Sequence, residues 1–112
     1  MKRVKRHLIF KKRVNAAGVE FFGIKAMSLD GMRNYFSAAE DAKTFRGAVT
    51  KVNKAYEMRY AACNRSYEYI VDLGEVKYDG ILDITKNSKE ELVEELRCFG
   101  GHRIASIIEE RV

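Results

Sequence analysis

Apolar and polar residues alternate over residues 4–14, with Val4, Leu8, Phe10 and Val14 set against Lys5, His7, Lys11 and Arg13. A period of two is the signature of a strand with one buried face. Asn15-Ala16-Ala17-Gly18 then supplies a turn, because Gly18 can adopt positive φ. Residues 19–28 are rich in β-formers and aromatics and predict a second strand. Asp30-Gly31 stands between Leu29 and Met32, and Asp-Gly favours two-residue hairpin turns. Residues 32–36 are therefore expected as a third strand, completing an antiparallel meander.

The period changes after Phe36. Ser37 and Glu40 have the spacing of a capping box. Ala42, Phe45, Val49, Val52, Tyr56 and Cys63 recur at helical spacing, which predicts a helix through residue 62. Residues 66–73 alternate again, with Tyr67, Tyr69, Val71 and Leu73 on one face and Gly74 as a turn. A further strand is expected within residues 76–85, with Asp79-Gly80 as a bulge or second turn. Ser88 and Glu91 form another capping box, opening a helix that buries Leu92, Val93, Leu96 and Phe99 and stops at Gly100-Gly101. Residues 103–108 are expected as a last strand. The predicted order is β-β-β-α-β-β-α-β, an α+β fold with an antiparallel sheet and two helices, in one domain over residues 1–112.

Pairing Val14 with Val19 and Leu29 with Met32 assigns the two sheet faces. One face collects Val4, Leu8, Phe10, Val14, Val19, Phe21, Met27, Leu29, Met32 and Phe36, and is expected to be core. The other collects Lys5, His7, Ile9, Lys11, Arg13, Glu20, Phe22, Ile24, Ala26, Arg33 and Tyr35.

Charge gives that second face a meaning. The net charge is +5, but residues 1–60 hold 14 Lys/Arg against 5 Asp/Glu and residues 61–112 hold 7 against 11. The chain thus divides into a basic β-β-β-α half (1–62) and an acidic β-β-α-β half (66–112). A basic half favours anionic partners. Cations neutralise phosphates and release counterions, while aromatic rings stack on unpaired bases. The candidate nucleic-acid-binding residues are Lys5, His7, Lys11, Arg13, Phe22, Arg33 and Tyr35.

The stretch GMRNYFSAAEDAKTF sharpens the expectation. A third strand ending in an aromatic, then a Ser or Thr cap, an acidic pair and Ala resembles the AP2-type and phage integrase arm-type DNA-binding domains. Phe36, Ser37, Glu40, Asp41 and Ala42 carry the resemblance, which spans residues 7–62. It implies a sheet lying in the DNA major groove, with Lys11, Arg13, Lys25 and Arg33 at the contact positions. DNA is thereby placed ahead of RNA.

Catalytic chemistry is not signalled. There is no G-x-S-x-G, P-loop or dinucleotide fingerprint, so no catalytic residue and no cofactor is expected. Cys63, Cys98, His7 and His102 fall on separate elements, which argues against a metal site. Glu90, Glu91, Glu94 and Glu95 read as a solvated helix face. Leu8-Ile9-Phe10 is too short for a secretory signal, and no apolar run approaches the ~18–20 residues of a membrane span, so a cytoplasmic protein without membrane contact is expected. The leading expectation is a small non-enzymatic nucleic-acid-binding domain. The alternative is a phage-type adaptor or inhibitor that binds an acidic protein surface of a host enzyme or defence system. Self-pairing through a strand at Ile104–Ile108 would make a homodimer.

Overall fold

A computed structural model describes residues 5–63, 67–77 and 81–112, with side chains described for 6–59, 67–76 and 81–112. Strands β1 (Lys5–Val14) and β2 (Glu20–Met27) form a hairpin. Helix α1 (Leu29–Tyr35), a 3-10 turn (Ser37–Ala39) and helix α2 (Phe45–Cys63) follow. Strands β3 (Tyr67–Lys77) and β4 (Asp83–Lys86) then lead to helices α3 (Lys89–Cys98) and α4 (His102–Arg111). All strand pairs are antiparallel, in the order β3-β1-β2-β4. The fold is α+β, with four α-helices among the described residues rather than the two expected.

The first turn sets the register of everything around it. The Asn15 carbonyl accepts from Gly18 N–H at 2.9 Å, and Asn15 N–H donates to the Val19 carbonyl at 3.0 Å. The Asn15 side chain also accepts from Ala17 and Val19 N–H, at 2.9 and 3.0 Å. Gly18 has φ +81°, as such a turn requires. The turn therefore consumes five residues, and Val14 pairs with Glu20, not Val19. This one-residue difference moves every β2 side chain to the other face. Phe22, Ile24 and Ala26 join Leu8 and Phe10; Phe21, Gly23, Lys25 and Met27 join His7, Ile9, Lys11 and Arg13.

Both faces are covered. Leu8, Ile9 and Phe10 are 0, 2 and 0% exposed, so three consecutive residues of the central strand are buried. Only helices on both sides of the sheet can do this. Leu8, Phe10, Ile24 and Leu73 pack with Leu92, Val93, Leu96, Ala105 and Ile108 beneath α3 and α4. Ile9 and Ile70 pack with Met32, Ala39, Ala42, Phe45, Ala48, Val52 and Tyr56 beneath α1 and α2. The expected open sheet face is absent from this part of the molecule.

The expected third strand at 32–36 is helix α1. Ser28 caps it, accepting from Gly31 N–H at 3.1 Å, so Asp30-Gly31 lies inside a first helical turn rather than in a hairpin. Met32 is fully buried and Arg33 pairs with Asp30 at 3.2 Å. The meander that carries the resemblance is thus a two-stranded hairpin here. Nor does Ser37 start the long helix: Thr44 does, accepting from Gly47 N–H at 3.0 Å. The expected strand at 103–108 is helix α4, with Ala105 and Ile108 buried and Ile104 and Ile107 beside them, an i, i+3, i+4 pattern. The strand proposed for self-pairing therefore does not exist. Gly74 does not turn the chain. It sits with Leu73 in a bulge opposite Leu8, with φ +106°, and β3 continues to Lys77.

Other expectations hold. Ser88 accepts from Glu91 N–H at 3.1 Å at the start of α3, whose Leu92, Val93 and Leu96 are buried. Phe99, expected to be buried with them, is instead exposed, because the helix has ended and Phe99 is its C-cap. Gly100 and Gly101 N–H groups donate to the Arg97 and Leu96 carbonyls, a Schellman stop with Gly100 at φ +90°. Glu90, Glu91, Glu94 and Glu95 are all solvent-exposed. Val4 and Asp79-Gly80 lie outside the described residues, as do the side chains of Lys5 and Cys63.

Candidate nucleic-acid interface

The helices leave one flank of the sheet uncovered, toward the β1–β2 turn. There Lys11 and Arg13 of β1, Phe21, Gly23 and Lys25 of β2, and Asp83 and Thr85 of β4 line a hollow of about 300 Å³ with Tyr35 from the end of α1. The strand residues are alternate positions on three neighbouring strands, paired as Lys11 with Gly23, Arg13 with Phe21, Gly23 with Thr85 and Lys25 with Asp83. Period-two geometry therefore puts them on one face. Gly23 makes the hollow deep. A Cβ there would sit 3.5 Å from Thr85 Oγ1 and the Ile84 carbonyl, and 3.8 Å from Lys11 Cβ.

The cations lie on rings. The Arg13 guanidinium is 4.6 Å from the Phe21 ring centre, and Lys25 Nζ is 3.9 Å from that of Tyr35. Such contacts hold a cation in place while leaving its outer side for a ligand. Lys25 also pairs with Asp83 at 3.7 Å and Lys11 with Glu68 at 3.1 Å. Among the described residues no carboxylate pairs with Arg13, which is exposed. Glu68 further affects Tyr56: burial, then the Glu68 charge, push the Tyr56 hydroxyl up to about 12. Tyr56 thus stays neutral throughout the physiological range.

Lys11, Arg13 and Tyr35 are brought together, although Tyr35 arrives from a helix rather than a strand. Phe22 is on the opposite face, 6.1 Å from Phe10 and beneath Lys12. His7 lies at the other end of β1, stacked on Phe45 at 3.8 Å and hydrogen-bonded to Asp72 at 3.1 Å. Arg33 is turned inward, with Nε donating to the Ala42 carbonyl at 2.7 Å. The Lys5 side chain lies outside the described residues. Phe21 was the residue missed. Its signal was the Asn15 side chain, which specifies a five-residue turn.

A larger concavity of about 660 Å³ lies between α3 and α4, lined by Lys89, Glu90, Val93, Glu94, Arg97, Cys98 and Glu109. It is wide and of mixed charge, with Arg97 already bonded to Glu109, so it gathers no convergent chemistry. Among the described residues no group of three His, Cys, Asp or Glu side chains is placed to hold a metal, and no helix is long and apolar enough to cross a membrane. No protein-family model matches the chain, and no curated protein or solved structure matches it either.

Proposed function

We propose that this chain is a small non-enzymatic nucleic-acid-binding domain whose contact surface is the uncovered flank of the sheet. The observation that supports this is Arg13 stacked on Phe21 beside Lys25 stacked on Tyr35, in one hollow. Arg13 offers a guanidinium to phosphate, and the rings offer faces for a base. The Lys11–Glu68 and Lys25–Asp83 pairs are partly exposed, and a phosphate, which makes stronger charge-assisted bonds, can compete for both cations.

The test is titration of fluorescent oligonucleotides at several salt concentrations. Three phosphate contacts predict a log–log salt slope of about −2 for a single strand. Replacing Arg13 and Lys25 with Glu abolishes binding while the thermal melt stays cooperative. Absence of binding at low salt, or binding indifferent to salt, overturns the reading. A second reading, a protein-binding adaptor or inhibitor, is favoured by the carboxylates already interleaved among these cations. A stoichiometric protein partner that survives nuclease treatment selects it.

A further inference from the structure

Resting on that reading, we propose that the basic hollow seats one unpaired base of a single strand, with Gly23 as its floor. Gly23 lies in the interior of β2, where a glycine weakens a strand. The fold itself does not ask for one there. Its φ is outside the left-handed region that Gly18, Gly74 and Gly100 occupy. The ladders on both sides run without a bulge, from His7–Met27 to Val14–Glu20 and from Phe22–Lys86 to Lys25–Asp83. No neighbour crowds it either: the nearest atoms to an added Cβ would be at an ordinary contact distance of 3.5 Å. The missing side chain keeps a place open on the sheet, and close approach of a ligand is the remaining use of a strand glycine.

The side chains around that place leave it clear and suit a nucleotide. Lys11 contributes its stem, while its ammonium leans away to the Glu68 carboxylate at 3.1 Å. Phe21 and Lys25 stand two residues to either side of Gly23 on the same face, about 13 Å apart along the strand. Arg13 on the Phe21 ring completes one end, and Tyr35 beneath Lys25 completes the other. Each end thus joins a ring face to a cation. A strand crossing the hollow meets a cation for the phosphate on each side of the seated base, and a ring for the base itself. β4 supplies a polar wall: the Asp83 carboxylate accepts from an exocyclic amino group, as cytosine carries, and the Thr85 hydroxyl donates or accepts. At about 300 Å³ the hollow is at the small end of ligand sites, the scale of one nucleotide. A duplex is poorly served by it. Major-groove readers are helices or ribbons that protrude, whereas these residues are recessed around a glycine floor. A paired base would have to leave its stack to reach Gly23.

Fluorescence anisotropy on the full chain compares three labelled ligands: an eight-nucleotide oligodeoxycytidine, an abasic chain with the same phosphates, and a 12-bp duplex. The oligodeoxycytidine is expected to bind about tenfold or more tightly than either, the effect of one stacked base. Gly23→Ala fits at ordinary contact distance, and Gly23→Leu fills the hollow; both are expected to keep a cooperative melt. Gly23→Leu should bring the oligodeoxycytidine down to the affinity of the abasic chain, leave abasic-chain binding and its salt slope unchanged, and place Gly23→Ala in between. Crosslinking the unaltered protein to an oligonucleotide carrying 5-iodocytosine, with the sites mapped by mass spectrometry, should mark Phe21 or Tyr35. Equal affinity for the oligodeoxycytidine and the abasic chain, duplex binding as tight as that of the single strand, or crosslinks confined to residues outside the hollow overturns the proposed base seat, while salt-sensitive, Arg13-dependent binding upholds the parent reading. No binding of any of the three at low salt removes both.

Discussion

Asn53 should be among the most sensitive polar positions in the chain. It sits on α2, and its side-chain amide treats Ile70 of β3 as a neighbouring strand would. Asn53 Nδ2 donates to the Ile70 carbonyl at 2.9 Å, and Ile70 N–H donates to Asn53 Oδ1 at 2.8 Å. β3 is an outer strand, so these main-chain groups have no strand partner on that side. Asn53→Ala deletes both bonds, each worth about 1 kcal/mol net, and leaves two half-buried polar groups to find water. The expected loss is about 2–3 kcal/mol. For a chain of 112 residues that lowers the melting temperature by roughly 10 °C. Asn53→Asp is the sharper variant. It retains an acceptor for Ile70 N–H but turns a carboxylate on the Ile70 carbonyl, so it should be at least as damaging at neutral pH. Acidification, which gives the introduced carboxyl a proton to donate, should recover part of the loss. Urea denaturation followed by circular dichroism measures all three proteins. If Asn53→Ala stays within about 0.5 kcal/mol of the unaltered protein, an ordinary surface change, the amide is not closing this edge.

Further outcomes are expected elsewhere. Tyr56, with its hydroxyl pushed up to about 12 by burial, should give a late phase near that pH in an absorbance titration, and Tyr56→Phe should remove that phase. The folded form holds this proton more tightly than the unfolded chain, whose tyrosines ionise near ~10. Stability from this group is thus fully present below about pH 10 and falls between about 10 and 12; Tyr56→Phe should flatten that fall in denaturation curves. Gly100→Ala places a side chain at φ +90° with open space around it, so the penalty is conformational alone, about 1–2 kcal/mol by chemical denaturation. Ile108→Ala should cost about 2–5 kcal/mol, as expected for a fully buried residue beneath the sheet; a surface-like effect would contradict α4 as a core helix.

The patterns along the chain were sufficient for β1, β2, α2, α3 and their main stop signals. Each rests on local physics: alternation in β1, a helical stripe from Phe45 to Tyr56, the Ser88 cap, the two glycines after α3. The basic charge of the first half was equally plain, and three of the residues chosen for it, Lys11, Arg13 and Tyr35, meet in one hollow. Where local signals were short or ambiguous, packing chose. Ile104, Ile107 and Ile108 suit a strand by β-branching, but only a helix lays Ala105 and Ile108 together against the sheet. Met32 could have pointed from a strand, yet Ser28 capped a helix that buries it. Alternation tells which side chains share a face within a strand, but the face itself depends on the number of residues in the preceding turn. Asn15 made that number five, exchanging Phe22 for Phe21 and bringing Lys25 onto the face of Arg13. That a basic strand exists here follows from its residues; which ring its arginine lies on follows from one turn and the helices that close over both faces.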